Sequence, residues 1–429
     1  MSADGTTSLA PPRGMRDFFP EDMTPRNVLF DVWKKAAAQY GFSQYDACVV
    51  ESLDLLKRKG GEEVTDQLYA FKDKSGRDLA LRAEMTPTLA RMIASRQGSL
   101  SLPAKWFAIA QCFRYERMTA GRKREHYQWN LDILGEESVI AEAEILAAAA
   151  KALSLMGLGH GDVTIRVSSR ALLSELLARL GIDATFHPPV FLALDKRGKI
   201  GDEEIAATLR AAGLDAGKIS AALDLTRIAG LRDALATLGE PTPGYQRLSR
   251  FFDTIRGYGL EDMVQFDISV VRGLGYYTGI VFEAFDSKRQ FRAIFGGGRY
   301  DNLLNDIGGR PMTAVGLGFG DVVIAEYLDS LGKLNTTGQG RDIAIGFMEE
   351  AQADFAVIVA EMFRKQGRDV DMSLHSMKAK AFFSRAGQAG FRDAVFIGPD
   401  DVRDRKVRIK NMADRTEKEW LMAEGSVSV

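Results

Sequence analysis

QCFRYERMTAGRKREHYQWNLD, residues 111 to 132, reads as a strand, a basic loop and a second strand, and these two strands decide the fold. Side chains alternate faces along an extended chain, so Cys112, Arg114 and Glu116 share one face while Phe113 and Tyr115 share the other. In the second strand Tyr127, Trp129, Leu131 and Ile133 point one way and Gln128, Asn130 and Asp132 the opposite way. One face is apolar and belongs to a core; the other is a polar platform. The loop between them carries Arg117, Arg122, Lys123 and Arg124, a cation density that suits a polyphosphate. A solvated hairpin tip is the alternative, and the adjoining polar face favours the phosphate.

Around this hairpin, the runs DACVVES, LALRAE, KWFAIAQCFRYER and HYQWNLDILG, between about 44 and 135, predict a mostly antiparallel sheet with turns such as DKSG. Upstream, PRNVLFDVWKKAAAQYGF from Pro25 sets Val28 or Leu29, Val32 or Trp33, Ala36 and Tyr40 along one helical face, and Gly41 stops it. An alanine-rich helix is expected over about 138–156. Residues 170–260 read as helical and polar, with DEEIAATLRAAG and KISAALDL, before strand character returns at MVQFDISVVRG. That pattern is a helical insertion in a split sheet domain. VVRGLGYYTGIVFEAF, residues 270–285, reads as an apolar strand, a glycine-rich turn and a second apolar strand, with Arg272 at the end of the first. Such an arginine pairs with an acid, snorkels to solvent or faces a ligand. GKLNTTGQGR reads as a linker, and beyond it strands (DIAIGFM, AVFIG) alternate with helices (ADFAVIVAEMFRKQG, MKAKAFFSRAGQAG), which argues a separate α/β domain. The expected division is 1–330 with 170–260 inserted, a linker at 331–340, and 341–429.

The chain has 429 residues, with 56 Lys+Arg against 58 Asp+Glu and a net charge of -2, so a polyanionic partner must be met by a local patch. Two cysteines, Cys48 and Cys112, and four histidines, His126, His160, His187 and His375, show no metal-ligand spacing and no disulfide framework. A reducing cytosol fits. The start, MSADGTTSLAPP, lacks a basic stretch and an apolar run, and no uncharged apolar segment approaches the roughly 18 residues of a membrane span. A cytoplasmic location is expected, with no membrane partner.

Three further segments adjoin the polar platform. Glu84, in LRAEMTPT, sits beside Thr86, where a carboxylate and a hydroxyl can grip an ammonium group; a helix-start acid is the alternative. FGGGRYDNLL packs three glycines before Arg299 and Tyr300, allowing close backbone approach to a ligand or a tight bend. AVGLGFGDVVIAEYL reads as a glycine-spaced strand running into a helix.

Together, in this order, the segments resemble the histidyl-tRNA synthetases, a class II aminoacyl-tRNA synthetase family, over nearly the whole chain. PPRGMRDFFPEDM looks like the N-terminal signature, and the helix from Pro25 with the strand near Cys48 is similar to motif 1, the dimer-forming motif. FRYERMTAGRKREHYQWNLD looks like motif 2, while VVRGLGYYTGIVFE and GGGRYDNL resemble the two histidine-specific signatures. REHYQWN and GFGD resemble the variant of plant organelles and some bacteria. The resemblance implies an α+β fold: a class II antiparallel sheet flanked by helices, a helical insertion and a C-terminal α/β anticodon-binding domain. It implies a homodimeric histidine–tRNA ligase that activates L-histidine with ATP and Mg²⁺ to histidyl-adenylate and transfers it to the 3′ end of tRNA(His), with AMP and pyrophosphate as products. The rival is a non-catalytic paralogue, the regulatory subunit of ATP phosphoribosyltransferase in histidine biosynthesis. Such paralogues usually lose the catalytic arginine and the C-terminal domain, and this chain carries both.

Residue by residue, the resemblance implies that Arg114 and Glu116 handle the ATP α-phosphate and adenine, and that Arg122 reaches the outer phosphates. Glu84, Thr86 and Gln128 would hold the histidine amino group, Asp132 and Tyr277 the two imidazole nitrogens, and Tyr276 and Tyr300 would close the pocket. Arg272 would be a catalytic cation beside the histidine carboxylate and the α-phosphate, where other class II enzymes place a metal ion. Two positions depart from the family pattern: Asp132 stands where glutamate is frequent, and Val323 stands at the motif 3 arginine. Asp321 is a candidate Mg²⁺ holder, and KVRIKN from Lys406 offers cations to an anticodon or forms a solvated edge.

Overall fold

Ala104–Phe113 and Glu125–Leu134 are ten-residue strands paired antiparallel, with Ala104 opposite Leu134 and Phe113 opposite Glu125. The structure, a computed structural model, describes residues 9–196, 200–272, 275–334 and 341–421, except for the side chains of 58–64. Residues 335–340 of the expected linker, residues 1–8 of the start and Gly273 lie outside the described residues. The chain divides into two units, Met1–Leu334 and Asn335–Val429.

In the first unit the hairpin belongs to an eight-stranded sheet. Its order is Ser43–Gln44, Ala104–Phe113, Glu125–Leu134, Ala314–Gly320, Phe295–Arg299, Ile280–Asp286, Val163–Ser169 and Val264–Phe266. Every interior pair is antiparallel; only the two edge strands run parallel to their neighbours. The apolar face of the second motif strand is covered as its alternation requires. Helix Pro20–Gln39 buries Leu29, Trp33, Ala36 and Ala37, and Trp33 stacks on Trp129 at 6.1 Å and against Phe319 at 5.5 Å. Helix Ile140–Leu155 packs beside it, and its alanines let backbones approach closely. The first helix starts at Pro20 and not at Pro25: proline is tolerated in a first turn, and Asp22 accepts the Phe19 N–H at 3.0 Å. Its apolar face is met within the chain, so that face alone calls for no partner.

Six α-helices among the described residues, from Arg170–Arg179 to Pro243–Gly257, lie between the parallel strands Val163–Ser169 and Val264–Phe266. Their apolar residues, Leu172, Leu176, Ile205, Leu248 and Phe251 among them, join the core of the sheet. A parallel pair needs a long crossover, and these helices supply it.

Two strand expectations are corrected. Residues 50–81 form a separate three-stranded sheet, Val50–Ser52, Asp78–Leu81 and Ala70–Lys72. MVQFDISVVRG contributes only Val264–Phe266, because Asp267 ends the strand: its carboxylate accepts the Ser269 N–H at 3.0 Å and hydroxyl at 2.5 Å and pairs with Arg166 at 2.6 Å. Arg272 therefore stands in a loop, with a left-handed φ of 62°.

The second unit has sheet order Val370–Met372, Arg341–Phe347, Phe391–Ile397, Lys406–Asn411 and Glu417–Leu421. The first three strands run parallel and the last two antiparallel. Helix Ala353–Lys365 packs on one face through Phe355, Val359 and Phe363, and helix Ala379–Gln388 on the other through Phe382. The cations of KVRIKN are engaged: Lys406 with Glu419 at 2.9 Å, Lys410 with Glu417 at 3.3 Å, and Arg408 within 4.0 Å of Asp401.

The glycines of Phe295–Arg299 fill interior strand positions where no side chain fits. A first side-chain carbon on Gly297 would lie 2.8 Å from Phe282 Cε2 and 2.9 Å from Leu317 Cα, and would overlap the Gly316 carbonyl. Gly297→Ala is expected to cost roughly 2–3 kcal/mol in a denaturant melt, whereas Gly159→Ala, with open space around it, should stay within about 0.5 kcal/mol of the parent.

Candidate active site

The polar face of strand Glu125–Leu134 is roofed by almost nothing from its neighbour, Ala314–Gly320, because glycines stand opposite. Gly316 pairs with Asp132, Gly318 with Asn130 and Gly320 with Gln128. A side-chain carbon at Gly318 would lie 2.5 Å from Gln128 Nε2, and one at Gly316 would overlap Asp132 Oδ1. The glycines are the space into which Asp132 and Gln128 lie.

Asp132 is 2% exposed, and the Tyr300 hydroxyl donates to its Oδ1 at 2.5 Å. Burial pushes its carboxyl up to about 7, against the lowering effect of that hydrogen bond. Glu84, 5% exposed, follows strand Asp78–Leu81 and precedes helix Thr86–Arg96, with Thr86 as the first helical residue. Tyr276 donates to Glu84 Oε2 at 3.0 Å, while Oε1 is buried without a partner among the described residues. Burial raises this carboxyl as well, and Arg114, the Tyr276 hydroxyl and Arg272 oppose it. The Tyr276 ring lies 4.8 Å from Tyr277 and 5.9 Å from Tyr300, edge-on to the latter. Glu84, Tyr276, Tyr300 and Asp132 are thus one connected chain. The Tyr45 hydroxyl and Asn130 Oδ1 are also buried without partners among the described residues.

Two guanidiniums flank Glu84. Arg114 donates from Nε to the Ala83 carbonyl at 2.9 Å, tying the end of the first motif strand to the turn that carries Glu84. Arg272 pairs with Glu283 through Nη1, lies 6.0 Å from the Tyr277 ring centre and rests against Gly296, where a side chain would collide with it. Arg272 does have an acid partner, yet its Nε is buried without one among the described residues. Its side chain is 21% exposed; burial opposes its charge, and Glu283 and Tyr277 together more than offset that.

At the loop end, Glu116 pairs with Arg122 at 2.8 Å. Arg124 lies flat on the Tyr115 ring, 3.8 Å from its centre, and donates toward the Arg13 carbonyl, so it is folded away. Gly121 sits between Val323 Cγ2 and Arg292 Cδ, 3.3 and 3.4 Å from where its side chain would begin, and Arg292 reaches Thr119 Oγ1 at 3.5 Å. His126, opposite Cys112 in the register, is a neutral ring: burial and the nearby Arg114 and Arg16 push its pKa down to about 3.

Residues 14–320 match the histidyl-tRNA synthetase family, and residues 341–427 match the anticodon binding domain family. The chain belongs to the histidyl-tRNA synthetase family. It is similar to the chloroplastic/mitochondrial histidine–tRNA ligase of Arabidopsis thaliana, at 42% identity over 93% of this chain and 82% of that one. The histidine–tRNA ligase of Opitutus terrae is 38% identical over 94% of both chains. The fold matches a histidyl-tRNA synthetase crystal structure from Nostoc sp. PCC 7120 with a TM-score of 0.78, at 23% identity and 97% coverage of both chains. It also matches, with a TM-score of 0.74, 20% identity and coverage of 92% of this chain and 99% of that one, a Bacillus halodurans structure titled ATP phosphoribosyltransferase regulatory subunit/histidyl-tRNA synthetase. That fold serves both titles, so fold alone does not separate the two readings.

The synthetase differs from its sequence reading at Asp321. Both carboxylate oxygens are engaged, Oδ2 with Arg16 at 2.9 Å and Oδ1 with the Tyr127 N–H at 2.9 Å, and Arg16 also pairs with Glu125 at 2.5 Å. Asp321 is an anchor between the N-terminal segment and the motif 2 strand, and it does not fit a Mg²⁺ ligand. Among the described residues no group of three or more His, Cys, Asp or Glu is placed to hold a metal ion. Arg16, Arg292 and His126 were not singled out from sequence; Arg16 lies in the quoted PPRGMRDFFPEDM, but its partner is 305 residues away.

The raised Asp132 carboxyl has a consequence for stability. Its folded value of about 7 exceeds the ordinary 3.8, so the folded state keeps a proton the unfolded chain releases, and stability from this group falls as pH rises from about 4 to 7. Asp132→Asn should therefore raise the melting temperature of the free protein more at pH 8 than at pH 5, by roughly 2 °C or more, measured by differential scanning calorimetry.

Proposed function

We infer that this synthetase ligates histidine to tRNA in two steps, and that its histidine pocket is the cavity between Glu84 and Asp132. The observation that carries this reading is the pair of buried carboxylates at opposite ends of one tyrosine-lined chain, with Arg114 and Arg272 beside only one of them. A zwitterion with a polar ring fits that polarity. The ammonium group meets Glu84, whose Oε1 lacks a partner, with Thr86 and Gln128 alongside; the imidazole N–H meets Asp132, with Tyr277 at the other ring nitrogen and Tyr276 and Tyr300 as walls. A buried polar site left unpaired by the wrong amino acid rejects it by roughly 10⁴ to 10⁵, which removes the need for editing.

In the first step a histidine carboxylate oxygen attacks the α-phosphorus of ATP, the bond to the β-phosphate oxygen breaks, and pyrophosphate leaves. Two anions approach each other, so Arg272 and Arg114 act by offsetting charge that grows on the α-phosphate. Glu116 reads the adenine once it releases Arg122 to the outer phosphates, and Arg292, across Gly121 from Val323, is the cation that stands where this chain lacks the motif 3 arginine. Mg²⁺ enters as part of the MgATP substrate. In the second step the 3′-terminal hydroxyl of tRNA attacks the carbonyl carbon, and AMP leaves with the electron pair of the mixed anhydride. The Asn335–Val429 unit serves anticodon recognition, a reading supported by its family match.

We also propose a homodimer. Its support is not the first helix but the exposed Val49, Val50 and Phe71 of the small three-stranded sheet. Two free cysteines, Cys48 and Cys112, agree with a reducing compartment such as the cytoplasm. The regulatory-subunit reading has less support, since Arg114, Arg272 and the C-terminal unit are all present.

Histidine-dependent exchange of pyrophosphate into ATP tests the activity directly. Arg272→Ala should lower single-turnover adenylation roughly 10² to 10³-fold with the melt nearly unchanged, and lysine should restore only part, because an ammonium lacks the planar fork. Residues 1–334 alone should retain adenylation while tRNA charging falls far more; equal losses in both assays would count against the role of the second unit.

A further inference from the structure

The loop that carries Arg272 has neither strand neighbours nor a favourable backbone to hold it. Strand pairing stops at Phe266 and resumes at Ile280, and Arg272 adopts a φ of 62°, a left-handed region that disfavours a non-glycine residue. Something else must fix the loop if its guanidinium is to face a reacting phosphate. Glu283 pairs with the Arg272 side chain and Glu84 with Tyr276, while Arg170 grips the loop's backbone itself. Arg170, 7% exposed, donates from Nε to the Val271 carbonyl at 3.0 Å, from Nη1 to the Tyr277 carbonyl at 3.1 Å, and from Nη2 to the carbonyl of Arg272 itself.

The three acceptors bracket the loop from both ends, and only a planar fork with several donors can serve all of them at once. Arg170 is itself held from two sides. It is the first residue of helix Arg170–Arg179, whose N-cap, Ser169, accepts the Leu172 N–H at 3.3 Å, and its own N–H donates to the Gly279 carbonyl at 3.0 Å. Its guanidinium lies 5.4 Å from the Phe191 ring centre and 5.9 Å from that of Tyr277. Burial lowers its pKa, while Tyr277 and Asp195 support its charge. A buried guanidinium that spends its donors on backbone carbonyls is a clamp on those carbonyls.

We propose that Arg170 is a positioning residue for adenylation, which sets Arg272 against the α-phosphate by fixing the carbonyls of Val271, Arg272 and Tyr277. The inference rests on the reading of Arg272 as the cation at the α-phosphate. Arg170 acts through the loop; Glu84 and Asp132 lie on other elements and are not among its partners, so its loss misplaces the cation. A displacement of about 1 Å at a reacting centre costs up to roughly 10²-fold in rate.

A double-mutant cycle on the full-length protein tests it, with single-turnover adenylation, the KM values for histidine and ATP, and thermal melting as readouts. Arg170→Gln should slow adenylation roughly 10- to 100-fold while the KM for ATP changes less than about 3-fold, and Arg170→Lys should recover part of the rate. In an Arg272→Ala background, Arg170→Gln should cost less than about 3-fold more, because the group it positions is already gone. Additive losses in the double mutant, or a folded Arg170→Gln protein with unaltered adenylation, would overturn the proposal. If Arg170→Gln melts below the assay temperature, Arg170→Lys carries the same cycle with the same criteria. Failure of the underlying reading is separately visible, since Arg272→Ala alone would then leave adenylation near normal.

Discussion

Close packing at positions without side chains is the constraint on which the rest of the site depends. Strands Phe295–Arg299 and Ala314–Gly320 lie at the middle of the sheet, and at 296, 297, 298, 316 and 318 each is glycine. On the core side this lets Phe282, Phe295 and Phe319 fill the space beneath. On the other side it leaves a hollow in the sheet, floored by backbone, into which Asp132, Gln128 and the Arg272 guanidinium extend. A single methyl group at 316 would displace the carboxylate, and one at 296 the guanidinium. Glycine weakens strands by entropy, so a run of them in an interior position is retained for the room it makes.

What occupies that room is electrostatically unfavourable in the absence of a ligand. Asp132 and Glu84 both resist ionisation through burial, and the cations lie asymmetrically: Arg114 and Arg272 are felt at Glu84, whereas Asp132 has only a tyrosine hydroxyl. A ligand that brings one positive group to Glu84 and a hydrogen-bond donor to Asp132 offsets both penalties at once, and one lacking either leaves a buried acid unpaired. For the amino acid proposed to bind here, the same asymmetry favours one orientation, with its carboxylate at the guanidinium end. Selectivity and orientation then come from one arrangement of charges.

Local patterns made much of this legible. The alternation from Tyr127 to Ile133 assigned the strand's two faces, and Trp129, Leu131 and Ile133 do enter the core while Gln128 and Asp132 line the hollow. Gly41 and the alanine-rich run marked helix ends and packing in the same way. The Val270–Val271 run misled because apolar β-branched residues read as strand, whereas Asp267 captures Ser269 and turns the chain before them. Asp321 misled for another reason. Its neighbours Gly320 and Val322 say nothing of Arg16, and a pair separated by 305 residues is a product of the finished fold. Arg170 was hidden in SSRALL, where an arginine in the first helical turn looks like surface, because only the assembled loop shows what its donors meet.

The pairing of Arg272 with Glu283 is compatible with both a structural role and the proposed catalytic one. A guanidinium has five N–H donors in one plane, and Glu283 takes Nη1. Among the described residues its Nε is buried without a partner. Glu283 sits on strand Ile280–Asp286, so it fixes the fork against the sheet from one side, while the loop carbonyls held by Arg170 fix its backbone from the other. A charge that must stabilise a transient oxyanion gains from being immobile before the substrate arrives, since no reorganisation is then required during the reaction. Under the role proposed for Arg272 at the α-phosphate, the acid partner serves that end by holding the charge in place.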